Sequence, residues 1–345
     1  YTPFRQYTTQ RMKKDIYYRV DKRVQNGVVK YYLMREVNSD SRKFRASKLI
    51  KAGTPPTDPE VARAILLYGF ELEMKCCEKV VSYRVKNFKY EHEESEKTYS
   101  QLEKYRYLAL RYQDYLSEEE AARRISEREY HYIHESVKNV GCTFTYPEVV
   151  QMLETGKIPN GKYLRDINEI QNLYRCAVLR NKNPRKVTLA LVLQIRNMIL
   201  DNIEEPEQIS PEKKAAIQKL LNTYYQKIND GYHPAEQIII LYNNFRRLKP
   251  FKNGSKRTLR EIIQYLILPI GYPLEYQSSQ LIVQASEMLT QHQTKISIPN
   301  IIEQYAEAGK ISHLEEQIRK KIIERWDLQK NKNQKQLDLY LSDDC

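Results

Sequence analysis

Glycine is scarce in this chain, 10 residues in 345, and no apolar run approaches membrane-spanning length. Few glycines, with long periodic segments rich in Leu, Ile, Glu, Lys and Gln, predict a mainly α-helical protein large enough for two or three domains. Cysteine is sparse too: Cys76, Cys77, Cys142, Cys176 and Cys345 form no C-x-x-C pair and leave an odd count. That argues against a paired disulfide framework. Together with the lack of a signal-peptide pattern, it predicts a reducing, cytoplasmic setting. His131 and His134 stand three apart without a Cys or carboxylate cluster, so no metal centre is expected. Nor is there a defensible Ser-His-Asp set. Phenylalanine numbers 7 against 28 tyrosines, which predicts large half-buried contacts whose hydroxyls reach water or a partner.

Positive charge is abundant, and it is uneven. The formal net charge is +13, and residues 1–56 hold 14 Lys/Arg against 4 Asp/Glu, whereas the other 289 residues hold 43 against 40. Tyr1, Phe4, Tyr7, Tyr17, Tyr18, Tyr31, Tyr32 and Phe44 are interleaved with these cations. Lys13, Lys14, Arg19, Lys22, Arg23, Lys30 and Arg35 are therefore candidates to neutralise phosphates of nucleic acid or a ribonucleoprotein, with aromatics for stacking. The same pattern also suits a solubilised β-module whose tyrosines cover its own core. Anionic membranes fit less well, because the segment lacks an amphipathic apolar helix face.

Punctuation divides the chain into four parts. Residues 1–56 read as a basic β-rich module: Ile16–Val24 and Val28–Val37 flank Gln25-Asn26-Gly27, a type I′ hairpin signal, and Phe44–Ile50 offers a third strand. Ala52-Gly53-Thr54-Pro55-Pro56 closes it, and Asp58-Pro59-Glu60 opens a helix. Residues 57–130 read as an antiparallel helical hairpin with a seam at Leu102, Tyr105, Ala109, Tyr112 and Leu116. Residues 131–275 form a further helical domain. Residues 276–345 carry helices near Ser279–His292, Ile298–Ala308 and Ser312–Asp327, then a polar tail. The hairpin and this C-terminal extension are candidate protein-partner surfaces.

The most informative stretch runs from Leu248 to Arg257. A helix ends at Leu248, Pro250, Asn253 and Gly254 break the chain, and helical spacing resumes with Leu259, Ile262, Ile263, Leu266 and Ile267. A turn before a helix start points unpaired N–H groups outward, so Asn253, Gly254, Ser255, Lys256, Arg257 and Arg260 are candidate phosphate-binding residues. A basic helix-helix turn without ligand has the same spacing.

The run Lys249-Pro250-Phe251-Lys252-Asn253-Gly254-Ser255-Lys256-Arg257-Thr258-Leu259-Arg260, followed by Gly271-Tyr272-Pro273, resembles the Fic/Doc signature H-P-F-x-[DE]-G-N-G-R-x-x-R. Upstream, His233-Pro234-Ala235 resembles the family's helix start. The segment Tyr132 to Gly141 resembles its S-x-x-x-E-G inhibitory segment, with Ser136, Val140 and Gly141 at the motif positions. The resemblance spans roughly residues 130–275 and implies a Fic-like helical domain handling ATP or another nucleotide. It also implies altered chemistry. The family's proton-accepting His is here Lys249, its acidic Mg²⁺ ligand is Asn253, and its inhibitory Glu is Val140. An ammonium of ordinary pKa near ~10.4 has no free lone pair for a general base. The gap Asp201 to Pro211 leaves little room for the family's β-hairpin flap.

The expectation is a pseudoenzyme without a catalytic residue or metal, binding a phosphate-bearing group. Two alternatives stand beside it. Asn253 and Lys256 fit the Doc branch, H-x-F-x-N-A-N-K-R, which implies an active transferase moving AMP or phosphate to a protein hydroxyl. The fold could also serve only as a structural scaffold.

Overall fold

The protein is described by a computed structural model covering residues 18–91, 96–139, 141–182, 186–272 and 310–324. Lys13, Lys14, Val140, Pro273 and nearly all of the C-terminal extension lie outside the described residues. The chain divides into two compact units.

One unit is built on a three-stranded antiparallel sheet in the order β1 (Tyr18–Gln25), β2 (Val28–Ser39), β3 (Arg42–Ala52). Asn26 and Gly27 join β1 to β2 with φ of 53° and 75°, the left-handed pair a type I′ turn needs. The third strand is longer than the expected Phe44–Ile50. It starts directly after Asp40 and Ser41, which repeat the left-handed pair at 50° and 62°. A register shift sits at Tyr31/Tyr32, between β2 and β3.

Helix α1 (Asp58–Asn87) packs on one face of the sheet. Leu72, Cys76 and Val80, four residues apart, are fully buried on it, as Leu33, Val37 and Ala46 are on the strands. At Gly69 a Cβ would come within 3.1 Å of the Tyr18 hydroxyl, which donates to the Gly69 carbonyl. Glycine there lets β1 lie close to the helix. Most of α2 (Glu96–Tyr115) and residues 310–324 complete the unit, the latter burying Ile311, Leu314, Ile318 and Ile322. In α2 the expected seam residues Leu102, Tyr105 and Ala109 are buried.

A carboxylate lies at the centre of this unit. Glu73 of α1 has no exposure and accepts from Arg35 Nε at 2.7 Å, Tyr107 OH at 2.7 Å and Arg111 Nε at 2.8 Å. Burial opposes its ionisation, but the Arg111 and Arg35 charges overcome it and hold the carboxyl well below the usual carboxylate range. Arg35 is thus a correction to the candidate phosphate contacts. It points into the core, 3% exposed, and pairs with Glu73, through which β2, α1 and α2 meet.

The other unit is helical: α3 (Glu118–Lys138), α4 (Tyr146–Thr155), α5 (Leu164–Lys182), α6 (Leu189–Leu200), α7 (Pro211–Asn229), α8 (Pro234–Leu248) and α9 (Ser255–Ile270). Residues 57–130 therefore fall in both units, with α1 beside the sheet and α3 in the helical unit. Helix α9 is central, buried at every position from Thr258 to Ile267, with α6 and α8 against it. A buried ion network fixes it. Arg180 of α5 donates to Glu261 of α9 and to Glu129 of α3, each at 2.5 Å.

His233 is buried at the start of α8, between the rings of Phe88 and Tyr90 (centroids 4.9 and 5.7 Å), and Pro234 follows as the first helical residue. His131 stacks on Tyr146 at 3.9 Å. Among the described residues no group of His, Cys, Asp and Glu could hold a metal, and no helix is long and apolar enough to cross a membrane.

Candidate phosphate site at the start of helix α9

The motif loop connects α8 to α9 within the helical unit. Lys249 ends α8 in the left-handed region, φ 45°, with its N–H donating to the Arg246 carbonyl, and its side chain is exposed. Pro250 and Phe251 turn inward. The Phe251 ring meets Phe245 at 6.1 Å, and the buried Arg196 guanidinium lies 4.8 Å from its centre. Ser255 closes the turn. Its hydroxyl donates to the Phe251 carbonyl at 2.8 Å and accepts the Phe251 N–H at 3.2 Å. Gly254 caps α9 at φ 76°, and a Cβ there would meet Leu200 at 3.3 Å, so both conformation and space favour glycine.

This geometry brings Asn253, Gly254, Ser255, Lys256 and Arg257 together at the amino end of α9, as the spacing predicts. Arg260 lies about one turn further along. It is buried, and its guanidinium donates to the Ser136 carbonyl of α3 at 3.4 Å, so Ser136 of the inhibitory-like segment faces the second motif arginine. Gly141 beyond it is left-handed at φ 92°.

The side chains that meet this loop are carboxylates, which the motif alone does not reveal. Residues 201–210 form a turn and an irregular segment with no strand, matching the short gap read from sequence. From it Glu207 accepts the Lys252 N–H at 2.6 Å, and Glu204 accepts from the Asn253 side-chain amide. Arg196 holds that segment, donating to the Glu207 carbonyl at 3.1 Å with the carboxylate 3.6 Å away. Arg257 donates to Glu169 of α5 at 2.9 Å. Burial, opposed by Glu169 and reinforced by Arg260 and Arg165, pulls the Arg257 pKa below the ordinary arginine value. Three of the chain's own carboxylates, Glu169, Glu204 and Glu207, therefore engage the loop and the start of α9.

On the sheet, Arg19, Lys22, Arg23 and Lys30 lie on β1 and β2 as expected for the basic module. Lys22 shares a face with Val20 and Val24, whereas Arg19 and Arg23 point to the opposite side of β1.

No family profile matches the chain. It is 26% identical over 163 residues to the protein adenylyltransferase Fic of Aedes aegypti, covering 41% of this chain and 32% of that protein. It is 21% identical over 183 residues to the protein adenylyltransferase fic-1 of Caenorhabditis elegans, covering 46% and 36%. A solved structure of Caenorhabditis elegans Fic-1 superposes with a TM-score of 0.49 at 16% identity, covering 77% of this chain and 87% of that one. The chain spans about a third of the length of the curated relatives it matches. Over part of its length, the chain is thus similar to curated Fic proteins.

Proposed function

We propose that this chain is a catalytically degenerate Fic-like protein that binds a phosphate-bearing ligand at the start of α9. The observation that carries this reading is Lys249. An exposed ammonium stands where the resemblance places the general base, beside a loop that keeps Pro250, Phe251, Gly254 and the first arginine. Such a lysine adds electrostatic attraction without accepting a proton. Asn253, a neutral ligand engaged by Glu204, takes the place of the acidic metal ligand. The charge skew of residues 1–56 supports a second contact, with nucleic acid or a ribonucleoprotein, through the basic module.

Label transfer from ATP labelled on the α- or the γ-phosphate tests the loss of catalysis. Neither label should reach a protein acceptor in a lysate treated with the native chain. Transfer would establish the transferase alternative, and the label transferred would separate nucleotidyl from phosphoryl chemistry.

A ligand-free scaffold is the second reading, favoured by the carboxylates already at the loop. Calorimetric titration with ATP separates the two. Arg257→Ala should weaken binding, and Glu204→Gln with Glu207→Gln should tighten it roughly fivefold, the upper end of what a charge at a helix amino end contributes. Absence of binding to both the native chain and the double variant would leave the scaffold.

A further inference from the structure

The strand register assigns the basic module's side chains to two faces. Tyr18, Leu33, Arg35, Val37, Phe44 and Ala46 share the face covered by α1. The opposite face holds Arg19, Asp21, Arg23 and Gln25 of β1, Lys30, Tyr32, Met34 and Glu36 of β2, and Lys43, Arg45, Ser47 and Leu49 of β3. Cations lie on both faces, with Lys22, Arg35, Arg42, Lys48 and Lys51 on the α1 side, but on the opposite face they surround an exposed apolar centre. Arg19, Arg23, Lys43 and Arg45 keep 49%, 40%, 63% and 53% of their side chains exposed, and Lys30 adds a fifth cation. Two carboxylates share the face. Glu36 is met by Arg19, Lys43 and Arg45, and Asp21 by Arg23, so the face stays positive.

An apolar centre lies among these cations. Tyr32 and Leu49 are cross-strand partners, and Leu49 is 45% exposed. Gln25 accepts from both the Tyr32 hydroxyl and Lys30 at 3.2 Å, which orients the ring. The Arg23 guanidinium sits 4.5 Å from the ring centre. Lys30 and Glu36 are about 20 Å apart along β2, enough for a few extended nucleotides.

We propose that this open face of β1–β3 binds single-stranded nucleic acid, with Tyr32 as the base-stacking residue and Arg19, Arg23, Lys30, Lys43 and Arg45 contacting phosphates. The inference rests on the nucleic-acid reading above and replaces its residue set: it drops the core residue Arg35, Lys22 on the α1 side, and Lys13 and Lys14 outside the described residues, and adds Tyr32, Lys43 and Arg45. The apolar centre selects the occupant. A duplex or an anionic membrane would use the cations but leave Tyr32 and Leu49 without a flat partner, whereas every unpaired base has a stacking face.

Fluorescence anisotropy with labelled oligouridylate and oligothymidylate of about 12 nucleotides, within the range of known single-strand sites, tests this. The full chain should bind both, more tightly than it binds a duplex of equal length or phosphatidylserine vesicles, with affinity falling steeply between about 50 and 200 mM salt. Tyr32→Ala should weaken single-strand binding roughly tenfold and leave the salt slope intact. Arg23→Ala and Lys43→Ala should each reduce the slope by about one. Lys219→Ala, an exposed cation on α7, is the control and should change nothing. Thermal unfolding of each variant verifies that it folds. Oligonucleotide binding indifferent to all three sheet substitutions would overturn the sheet assignment while leaving the nucleic-acid reading in place. Absence of oligonucleotide binding would overturn both. Duplex or vesicle binding equal to single-strand binding, with Tyr32→Ala neutral, would overturn the single-strand assignment.

Discussion

Glu73→Ala is expected to destabilise the sheet-bearing unit by about 3–5 kcal/mol, the cost of stranding buried charges by removing their partner. The carboxylate accepts from Arg35, Arg111 and the Tyr107 hydroxyl, with the Tyr115 hydroxyl at 3.3 Å, and all four side chains are buried; without it Arg111 would keep only Asp114, at 2.6 Å, as a carboxylate partner. Removing it leaves two guanidinium groups facing each other in the core. Urea unfolding followed by circular dichroism measures the loss, and a shift under about 1 kcal/mol, the range of exposed ion pairs, would mean the network contributes little. Replacing the whole set with apolar residues (Glu73→Leu, Arg35→Met, Arg111→Met) should recover much of the stability, since buried ion pairs seldom surpass well-packed hydrocarbon.

The same network dictates an acid response. Glu73 is held below the usual carboxylate range in the fold, whereas an unfolded glutamate titrates near about 4.3. Its contribution is complete above that value and is lost as pH falls toward the folded pKa. Unfolding midpoints of the native chain should therefore fall below about pH 4 more steeply than those of the apolar triple variant.

Arg180→Met should be comparably severe in the helical unit, about 3–5 kcal/mol, because it leaves Glu129 and Glu261 buried together without their shared cation. Burial already raises the Glu261 carboxyl against the pull of Arg180. Without the arginine both carboxyls should move up, and a carboxyl raised by folding contributes stability at low pH that disappears as pH rises through its folded value. The deficit of Arg180→Met should therefore be smaller at pH 5 than at pH 8 in urea titrations. Equal deficits would show that packing, not charge, dominates. Adding Glu261→Gln should restore part of the loss at pH 8. Because Glu261 lies one turn beyond Arg257, the native ion network also steadies the helix start that carries the motif loop.

Much of this was legible in the chain because it rests on local chemistry. Asn26-Gly27 sets a hairpin by its own left-handed preference, Pro211 and Pro234 open helices, and Gly254 marks the start of α9. The anion-loop residues lie within a few positions of one another, so their spacing alone placed them at one helix end. Arg35 was misjudged because composition counts a cation without saying which way it points. Only the pairing register, together with a glutamate 38 residues away on α1, turns it inward.

The carboxylates Glu169, Glu204 and Glu207 illustrate the same limit. The segment 201–210 is visibly acidic, yet nothing local states that it folds back on a loop some 45 residues later. Sequence by itself determined the mainly helical character, the Asn26-Gly27 hairpin, the substituted motif and the excess of positive charge, since each depends on neighbours along the chain. Tertiary structure decided which charges meet in the core, which cations stay on the open sheet face, and which acids occupy the motif loop. Burial and electrostatic pairing act through space, between residues that the chain separates.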